Sequence, residues 1–178
     1  PRSRGIGRPA VSVLVTGAAG FVGAHVVRAL AAAGFGPIVA ADLDAFPDEG
    51  RKLPAVERIA LDVTDWTAVR AVCEAWRPSS IVHAAAITPS LDEEAADMAR
   101  ITAVNVTGAA NVIEAAIRSG SVGRLVVFSS SGVYNGMQAY PAILGEDCPL
   151  PEQPASLYAV SKLACEGMVH RAVAAGLS

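Results

Sequence analysis

The sequence predicts a doubly wound α/β fold, in which helices cover both faces of a parallel sheet. Short β-branched runs alternate with longer helical stretches along the chain, which is the pattern typical of such a sheet. The 178 residues are 52% hydrophobic and 17% charged, so they can build the buried core of one domain.

Five strands are predicted, each a short apolar run of the kind that is buried on both faces of a parallel sheet. They lie at 11–16, 38–41, 58–61, 80–84 and 125–129. Helices are predicted at 21–33, 66–76, 93–118 and 156–175. Ser156 caps the last helix, and Gly34 and Gly176 end the first and last helices. A segment rich in Gly and Pro at 135–154 predicts a long loop, and such loops are usually functional.

Composition excludes several classes of protein. The net charge is −3 and no Lys/Arg cluster occurs beyond the first eight residues, so we expect no nucleic-acid partner. Mean hydropathy is +0.41, but Gly, Pro, Arg or Ser interrupts every long apolar stretch, so we expect no membrane span. Three cysteines without CxxC spacing, and no signal peptide before the first strand, indicate free thiols, no metal site and a cytoplasmic protein.

A glycine-rich turn, Thr16-Gly17-Ala18-Ala19-Gly20-Phe21-Val22-Gly23, joins the first strand to the first helix. Gly17 allows a tight turn, Gly20 allows close approach to a pyrophosphate, and Gly23 lets the helix pack near the strand. The N–H groups that open the helix, including those of Phe21 and Val22, present partial positive charge to phosphates. The turn therefore predicts a dinucleotide cofactor, and the alternative is a tight turn that binds nothing.

A carboxylate at the end of the second strand indicates which dinucleotide is bound. Asp42 lies nineteen residues after Gly23, close to the roughly twenty expected for a group that binds the adenosine ribose hydroxyls. Asp42 would repel a 2′-phosphate, so NAD is favoured over NADP. Arg51 and Lys52 leave NADP open if they fold back towards the site.

Two residues after the third strand are candidates for the adenine contact. Asp62 can accept a hydrogen bond from the adenine amino group, and Val63 can supply backbone polar groups.

The last predicted helix carries a candidate acid/base pair. Tyr158 and Lys162 are spaced i, i+4, so both side chains project from one face, and a nearby ammonium favours the phenolate form of a tyrosine. A hydroxyl run at 129–131 follows the fifth strand, at the edge where open α/β sheets bind ligands. One of these serines can bind the substrate oxygen on which Tyr158 acts.

Taken together, the motifs resemble the extended short-chain dehydrogenase/reductases, chiefly the NAD-dependent nucleotide-sugar epimerases and dehydratases. The resemblance covers nearly the whole chain. It rests on the glycine turn, Asp42, Leu-Asp-Val-Thr-Asp at 61–65, His-Ala-Ala-Ala at 83–86, Val-Asn-Val-Thr-Gly at 104–108, Ser-Ser-Ser-Gly-Val-Tyr at 129–134, Glu146-Asp147 with Pro149, and Tyr-Ala-Val-Ser-Lys at 158–162.

The resemblance implies roles for these residues. Tyr158 would be the acid/base, and Lys162 would bind the nicotinamide ribose beside it. A serine four residues before Tyr134 would bind the reacting oxygen, which gives Ser130, with Ser131 as the competitor because this stretch is one residue shorter than in some epimerases.

Further residues are assigned in the same way. Asn105 would interrupt its helix and hold a water in a proton path, although a solvent-facing polar residue is the alternative. His83 is interpreted as a strand-end structural residue. Ala84, Ala85 and Ala86 would lie close under the cofactor.

We interpret residues 1–10 as a flexible arm and 11–178 as an NAD-binding Rossmann domain, and we expect the C-terminal substrate-binding part to be absent from this chain. The expected activity is hydride transfer at a hydroxyl of a sugar or nucleotide sugar. The residues do not separate an epimerase from a dehydratase or a dehydrogenase. A non-catalytic NAD(P)-binding sensor or scaffold, and a ketone or steroid dehydrogenase, remain alternatives.

The resemblance also implies a homodimer. Two long helices, at 93–118 and 156–175, would pair with the same helices of a second subunit, and their many apolar positions allow this. The alternative is that an absent C-terminal segment covers them.

Overall fold

The computed structural model describes residues 12–44, 46, 53–137, 141, 143–174 and 176–177. The predicted N-terminal arm, Arg51 and Lys52 lie outside these described residues. The strands are β1 (Val13–Thr16), β2 (Ile38–Asp42), β3 (Val56–Ala60), β4 (Ser80–His83) and β5 (Arg124–Val127). The helices are α1 (Phe21–Ala32), α2 (Trp66–Trp76), α3 (Leu91–Ala96), α4 (Met98–Thr102), α5 (Gly108–Ser119) and α6 (Leu157–Ala174). A π-helical turn (Ala103–Thr107) joins α4 to α5, and a 3₁₀ turn (Ser131–Tyr134) follows β5.

The five strands form one sheet in the order β3-β2-β1-β4-β5, and every neighbouring pair is parallel. This topology confirms the predicted doubly wound fold. The chain moves outward from β1 through β2 to β3 and then returns to place β4 on the other side of β1. A crevice opens outside the carboxyl ends of strands at such a reversal, and it is the usual ligand site of this architecture.

Apolar residues form a core on each face of the sheet because successive residues of a strand point to opposite faces. Leu14 of β1 faces the core that α2 and α5 cover, whose buried members include Val39, Val69, Ile81 and Val112. Val13 and Val15 face the other way, into a core that Val27 of α1 completes. Helices therefore cover both faces, as the sequence predicts.

The expectation that every strand is buried on both faces is wrong for β3 and β5, which are the two edges of the sheet. Val126 of β5 pairs with Val82 of β4, whose side chain packs towards the α1 core. Helix α1 packs chiefly against β1 and β2, and the Val126 side chain at the edge of the sheet is 42% exposed.

The single helix predicted at 93–118 is also wrong. The backbone leaves the helical conformation at Asp97, with φ −143° and ψ 50°, and the Asp97 side chain accepts a hydrogen bond from Arg100 N (3.3 Å) as the N-cap of α4. Aspartate is a favoured N-cap residue because it can satisfy a free N–H at a helix start. The helix therefore restarts at Met98 and then widens into the π-helical turn around Asn105.

The ends of the other elements either match the prediction or differ from it by one or two residues. Helix α2 matches it, and β3 begins two residues earlier than expected. Val11 and Ala175, at the predicted ends of the first strand and last helix, are not among the described residues. In the described ranges, no helix is both long enough and apolar enough to cross a bilayer.

Candidate active site

The glycine-rich turn after β1 is shaped by close backbone contacts. Gly17 has φ +69°, and a Cβ on it would lie 2.4 Å from the backbone nitrogen of Ala85. A Cβ on Gly23 would lie 2.1 Å from the carbonyl oxygen of Gly17. Any side chain at these two positions would collide with backbone. Gly17 is required where the turn packs against the end of β4, and Gly23 is required where α1 packs against the turn itself. A Cβ on Gly20 would meet only the Gly17 carbonyl oxygen, at 3.3 Å, so this glycine leaves its cleft-facing side open.

A cleft of about 420 Å³ lies at the strand reversal, within the range expected for a small-molecule site. It brings together eight of the residues predicted to bind the cofactor: Gly17, Gly20, Asp42, Asp62, Val63, Ala84, Ala85 and Ala86. Leu43, Asp44, Thr64, Ile87, Arg100, Ala103 and Val104 are further lining residues. The cleft is therefore long enough to join the glycine turn to the ends of β2, β3 and β4.

The other four residues predicted to bind the cofactor, Phe21, Val22, Tyr158 and Lys162, do not line this cleft. The side chains of Phe21 and Val22 are 83% and 42% exposed. Gly20 is the N-cap of α1 and offers no side chain to cap it. The first N–H groups of α1 thus remain available to an anion, which is the role predicted for Phe21 and Val22.

Asp42 is held against the glycine turn. Its Oδ2 accepts a hydrogen bond from Ala19 N (2.8 Å), and its Oδ1 accepts one from Asp44 N (3.1 Å). Each carboxylate oxygen can accept a second hydrogen bond, so this fixed carboxylate can also receive the two hydroxyls of a ribose.

Asp62 is arranged similarly at the end of β3. Its Oδ1 accepts hydrogen bonds from Thr64 N (2.8 Å) and from Thr64 Oγ1 (2.7 Å). Its Oδ2 accepts no hydrogen bond from the described part of the chain. One acceptor therefore remains for a ligand donor such as an amino group. The carboxylate acceptors of Asp42 and Asp62 and the glycine cradle both fit an adenine dinucleotide.

Tyr158 and Lys162 lie together near the exit of β5. The ammonium of Lys162 is 5.5 Å from the centroid of the Tyr158 ring. Lys162 is only 6% exposed, and its Nζ donates a hydrogen bond to the carbonyl oxygen of Phe128 (2.9 Å). Phe128 directly follows β5, so this bond ties the helix that carries the pair to the edge of the sheet.

The serine run begins one residue later. Ser130 caps the 3₁₀ turn, and its Oγ accepts a hydrogen bond from Gly132 N (3.1 Å). A Cβ on Gly132 would lie 3.2 Å from Ser130 Oγ and 3.9 Å from Tyr158 Cδ1, so the serine hydroxyl and the tyrosine ring both flank Gly132. Ser129 instead donates its hydroxyl to Glu166 of α6. The side chain of Ser131, on which the alternative assignment depends, is exposed.

His83 lies under the site at the end of β4. Its Nδ1 shares a hydrogen bond with Thr16 Oγ1 (2.7 Å), and both side chains are buried. Burial and, to a smaller extent, the charge of Lys162 lower the pKa of His83 from 6.5 to about 4. His83 is therefore neutral near pH 7, which agrees with its interpretation as a structural residue.

Asn105 links the cofactor cleft to the helix that carries the tyrosine. Its Oδ1 accepts a hydrogen bond from Ile87 N (2.7 Å), and its Nδ2 donates to Ile87 O (2.9 Å) and Ser161 Oγ (3.2 Å). Asn105 is 2% exposed, so the alternative of a solvent-facing residue is wrong. Its predicted part in a proton path stays a prediction. The structure shows in addition that Asn105 connects the segment after β4 to α6.

Several residues of the site were not predicted from the sequence. Glu94 of α3 contacts the start of α6, and the Cys165 thiol donates to Asn105 O (3.1 Å). Glu166 follows Lys162 by four residues, so the two side chains share one face of α6. Because that face was expected to meet the serine run, the spacing could have predicted that Glu166 lies near the serines. Among the described residues, no group of His, Cys, Asp and Glu side chains is arranged to hold a metal ion.

Comparison with known proteins agrees with this geometry. The model of the NAD dependent epimerase/dehydratase family matches residues 13–178. A UDP-glucose 4-epimerase from Mycolicibacterium smegmatis is 36% identical over 162 residues, which cover 86% of this chain and 48% of that protein. UDP-glucuronate 4-epimerase 2 from Arabidopsis thaliana is 31% identical over 171 residues, covering 92% of this chain and 38% of that protein.

Solved structures give the same result. The UDP-glucose 4-epimerase of Thermus thermophilus, in complex with NAD, superposes with a TM-score of 0.78 at 31% identity, covering 93% of this chain and 52% of that one. The Bordetella bronchiseptica enzyme WbmH, in complex with NAD⁺, gives 0.78 at 28% identity, covering 93% and 52%. The chain thus spans 38–52% of the length of these relatives. It belongs to the NAD-dependent epimerase/dehydratase family.

Proposed function

We propose that the protein is an NAD-dependent oxidoreductase of the epimerase/dehydratase type, which acts on a hydroxyl of a nucleotide sugar with Tyr158 as the acid/base. One observation carries the proposal: the Lys162 ammonium lies 5.5 Å from the Tyr158 ring and is hydrogen-bonded to Phe128, which follows β5. The pair therefore lies at the carboxyl end of the strands, as does the cleft that holds Asp42 and Asp62. A proton-transferring group and a dinucleotide site at the same end of the strands suit the oxidation of an alcohol.

The described residues suit NAD in the following arrangement. Gly17, Gly20 and the first N–H groups of α1 would hold the pyrophosphate. Asp42 would bind the adenosine ribose hydroxyls, and Asp62 would accept from the adenine amino group. Ala84, Ala85 and Ala86 offer small side chains along the cleft, where the cofactor would pass close to the backbone of β4. Tyr158 and Lys162 would contact the nicotinamide ribose.

Bound NAD would supply the acceptor for the hydride that leaves the alcohol carbon. In the oxidation, the phenolate form of Tyr158 takes the proton of the hydroxyl and becomes the phenol, and in the reverse reaction the phenol returns that proton. Ser130 holds the reacting oxygen by a hydrogen bond. We assign this role to Ser130 over Ser131 because the Ser130 hydroxyl and the Tyr158 ring flank the same glycine, Gly132, whereas the Ser131 side chain is exposed. Lys162 holds α6 against β5 through Phe128 while it binds the ribose.

Three of the relatives named above are 4-epimerases of UDP-glucose or UDP-glucuronate, so UDP-sugars are the first substrates to test. The full-length protein would be incubated with UDP-glucose and separately with UDP-glucuronate, while sugar isomers are separated by chromatography and NADH is followed by absorbance. Formation of the 4-epimer without net NADH supports an epimerase, and steady NADH formation supports a dehydrogenase.

Two outcomes would refute the proposal. Binding of NAD without turnover of any UDP-sugar or other nucleotide sugar would favour a sensor or scaffold. Turnover of ketones or steroids alone would favour the other dehydrogenase class on this scaffold.

A further inference from the structure

The first turn of α6 is capped by a side chain from another helix. Both carboxylate oxygens of Glu94 accept hydrogen bonds from it: Oε2 from Leu157 N (3.0 Å) and Oε1 from Tyr158 N (2.9 Å). Glu94 belongs to α3 and lies 63 and 64 residues earlier in the sequence. The backbone of the proposed acid/base residue is thus anchored directly by a residue outside its own helix.

This contact completes the cap of α6. Ser156 Oγ accepts a hydrogen bond from Ala159 N (3.1 Å), so the N–H groups of the first three helical residues all have acceptors. Such groups have no partner within their own helix, and a carboxylate is favoured there by the partial positive charge of the helix start.

Glu94 is itself held in place. Helix α3 begins with a capping box, in which Glu93 accepts hydrogen bonds from Ser90 N (2.7 Å) and Ser90 Oγ (2.9 Å) while Ser90 Oγ accepts from Glu93 N (3.3 Å). The segment before Ser90 leaves β4 and lines the cofactor cleft with Ala84, Ala85 and Ala86. The carboxylate that caps α6 is therefore linked to the cleft through a short, ordered segment.

A second anchor holds Tyr158 from its carbonyl side. Ser161 Oγ donates a hydrogen bond to Tyr158 O (2.7 Å) and accepts one from Asn105 Nδ2 (3.2 Å). Asn105 in turn binds the backbone of Ile87 in the same segment after β4. Tyr158 is thus fixed at its N–H by Glu94 and at its carbonyl by Ser161.

We propose that Glu94 is a positioning residue, which sets where the Tyr158 phenol stands relative to the nicotinamide end of the cleft. This inference rests on the proposed function. The phenol oxygen is at the far end of a long side chain, so a small rotation of the first turn of α6 displaces that oxygen further than the backbone. Misplacement of a reacting group by about 1 Å can cost about a hundredfold in rate.

The test uses three variants of the full-length protein. In Glu94→Gln one oxygen becomes an NH₂ group that cannot accept, and Glu94→Ala removes both acceptors. Asp92→Asn is the matched control, because Asp92 is an exposed carboxylate of α3 that has no hydrogen-bond partner among the described residues. For each variant kcat per NAD-binding site, KM for the UDP-sugar, Kd for NAD and backbone hydrogen exchange would be measured.

The proposal predicts that kcat falls at least about tenfold in both Glu94 variants, while KM and Kd change less than about twofold and Asp92→Asn behaves as wild type. Hydrogen exchange should accelerate in the peptide that contains Leu157 and Tyr158 and stay unchanged in β1 and β4. A merely structural role would instead lower NAD affinity and accelerate exchange throughout the chain, and that result would overturn the proposal, as would a kcat near that of wild type in both variants.

The outcome also separates this proposal from the proposed function. A wild-type protein that binds NAD and converts no nucleotide sugar refutes the function. The exchange data then decide on Glu94 alone: local acceleration in Glu94→Ala supports the anchor, and unchanged exchange at Leu157 and Tyr158 overturns it.

Discussion

Lys162 contacts both the sheet and Tyr158. Its ammonium donates a hydrogen bond to the carbonyl oxygen of Phe128 (2.9 Å) and lies 5.5 Å from the centroid of the Tyr158 ring. A buried ammonium is costly unless it is hydrogen-bonded. The fixed bond to Phe128 leaves two N–H groups of the ammonium for other acceptors. One lysine can therefore hold α6 in register and still bind a cofactor hydroxyl.

Replacement of Lys162 by Ala should lower both kcat and the affinity for NAD, since this side chain is assigned to both tasks. Fluorescence titration with NAD and steady-state kinetics would measure the two effects. Arg70→Ala is the control, because Arg70 forms an exposed ion pair with Glu74 on α2 (3.1 Å), away from the cleft. Loss of turnover with unchanged NAD affinity would show that Lys162 does not bind the ribose.

Asp42→Ala should weaken NAD binding and narrow its advantage over NADP. The change removes the ribose acceptor and the charge that repels a 2′-phosphate. It also removes the acceptor of Ala19 N, so part of the loss in affinity reflects a looser glycine turn. The ratio of the two dissociation constants is the quantity to measure, with Glu74→Ala as control, and an unchanged ratio would contradict the assignment of Asp42.

His83 should make the stability of the protein depend on pH. Because its pKa falls from 6.5 to about 4 on folding, the unfolded chain binds a proton in this window that the folded protein does not. The contribution of the neutral imidazole to the free energy of unfolding is complete above about pH 6.5. It is lost as the pH falls towards 4, and the loss is roughly 3 kcal/mol at most. The free energy of unfolding in urea would be measured for wild type and for His83→Asn at about pH 6.5 and about pH 4, and the loss between the two pH values would be compared. Equal losses in the two proteins would rule out this origin.

The full-length protein should form a homodimer through α5 and α6. A mainly apolar groove of about 640 Å³ runs between these helices, and Ile117 on its wall is 47% exposed. Ile101 and Ile113, two other apolar residues of the segment at 93–118, are buried within the chain. Light scattering over a concentration series would detect the dimer, and Ile117→Glu should yield monomers while Arg70→Ala should not. A wild-type monomer at tens of micromolar concentration would contradict the prediction.

Local patterns explain how much of the site could be predicted. The glycine turn follows from backbone geometry, since Gly17 and Gly23 are positions where any Cβ meets backbone within 2.4 Å or less. Asp42 follows from a fixed spacing along one βα unit. Tyr158 and Lys162 follow from helical periodicity. Each of these predictions depends on residues close together in the sequence. The fold then brings those residues to the carboxyl ends of the strands.

The features that were missed depend on contacts between distant segments. Whether Asp97 interrupts a helix is a competition between its side chain and the helical ladder, and tertiary packing decides it. The exposure of Val126 depends on how far α1 extends over the sheet. The cap of α6 by Glu94 requires that two helices dock at one angle, and no spacing within either helix encodes that.

The central claim is that Tyr158 transfers the proton of the reacting hydroxyl, and Tyr158→Phe tests it most directly because only the phenol oxygen is lost. With the UDP-sugar that the wild-type full-length protein converts, kcat per NAD-binding site would be measured beside the dissociation constant for NAD. The account predicts that turnover is abolished while NAD affinity stays nearly intact. Retention of more than about a tenth of the wild-type kcat, a loss of less than roughly 1.4 kcal/mol in the barrier, would mean that another residue is the acid/base.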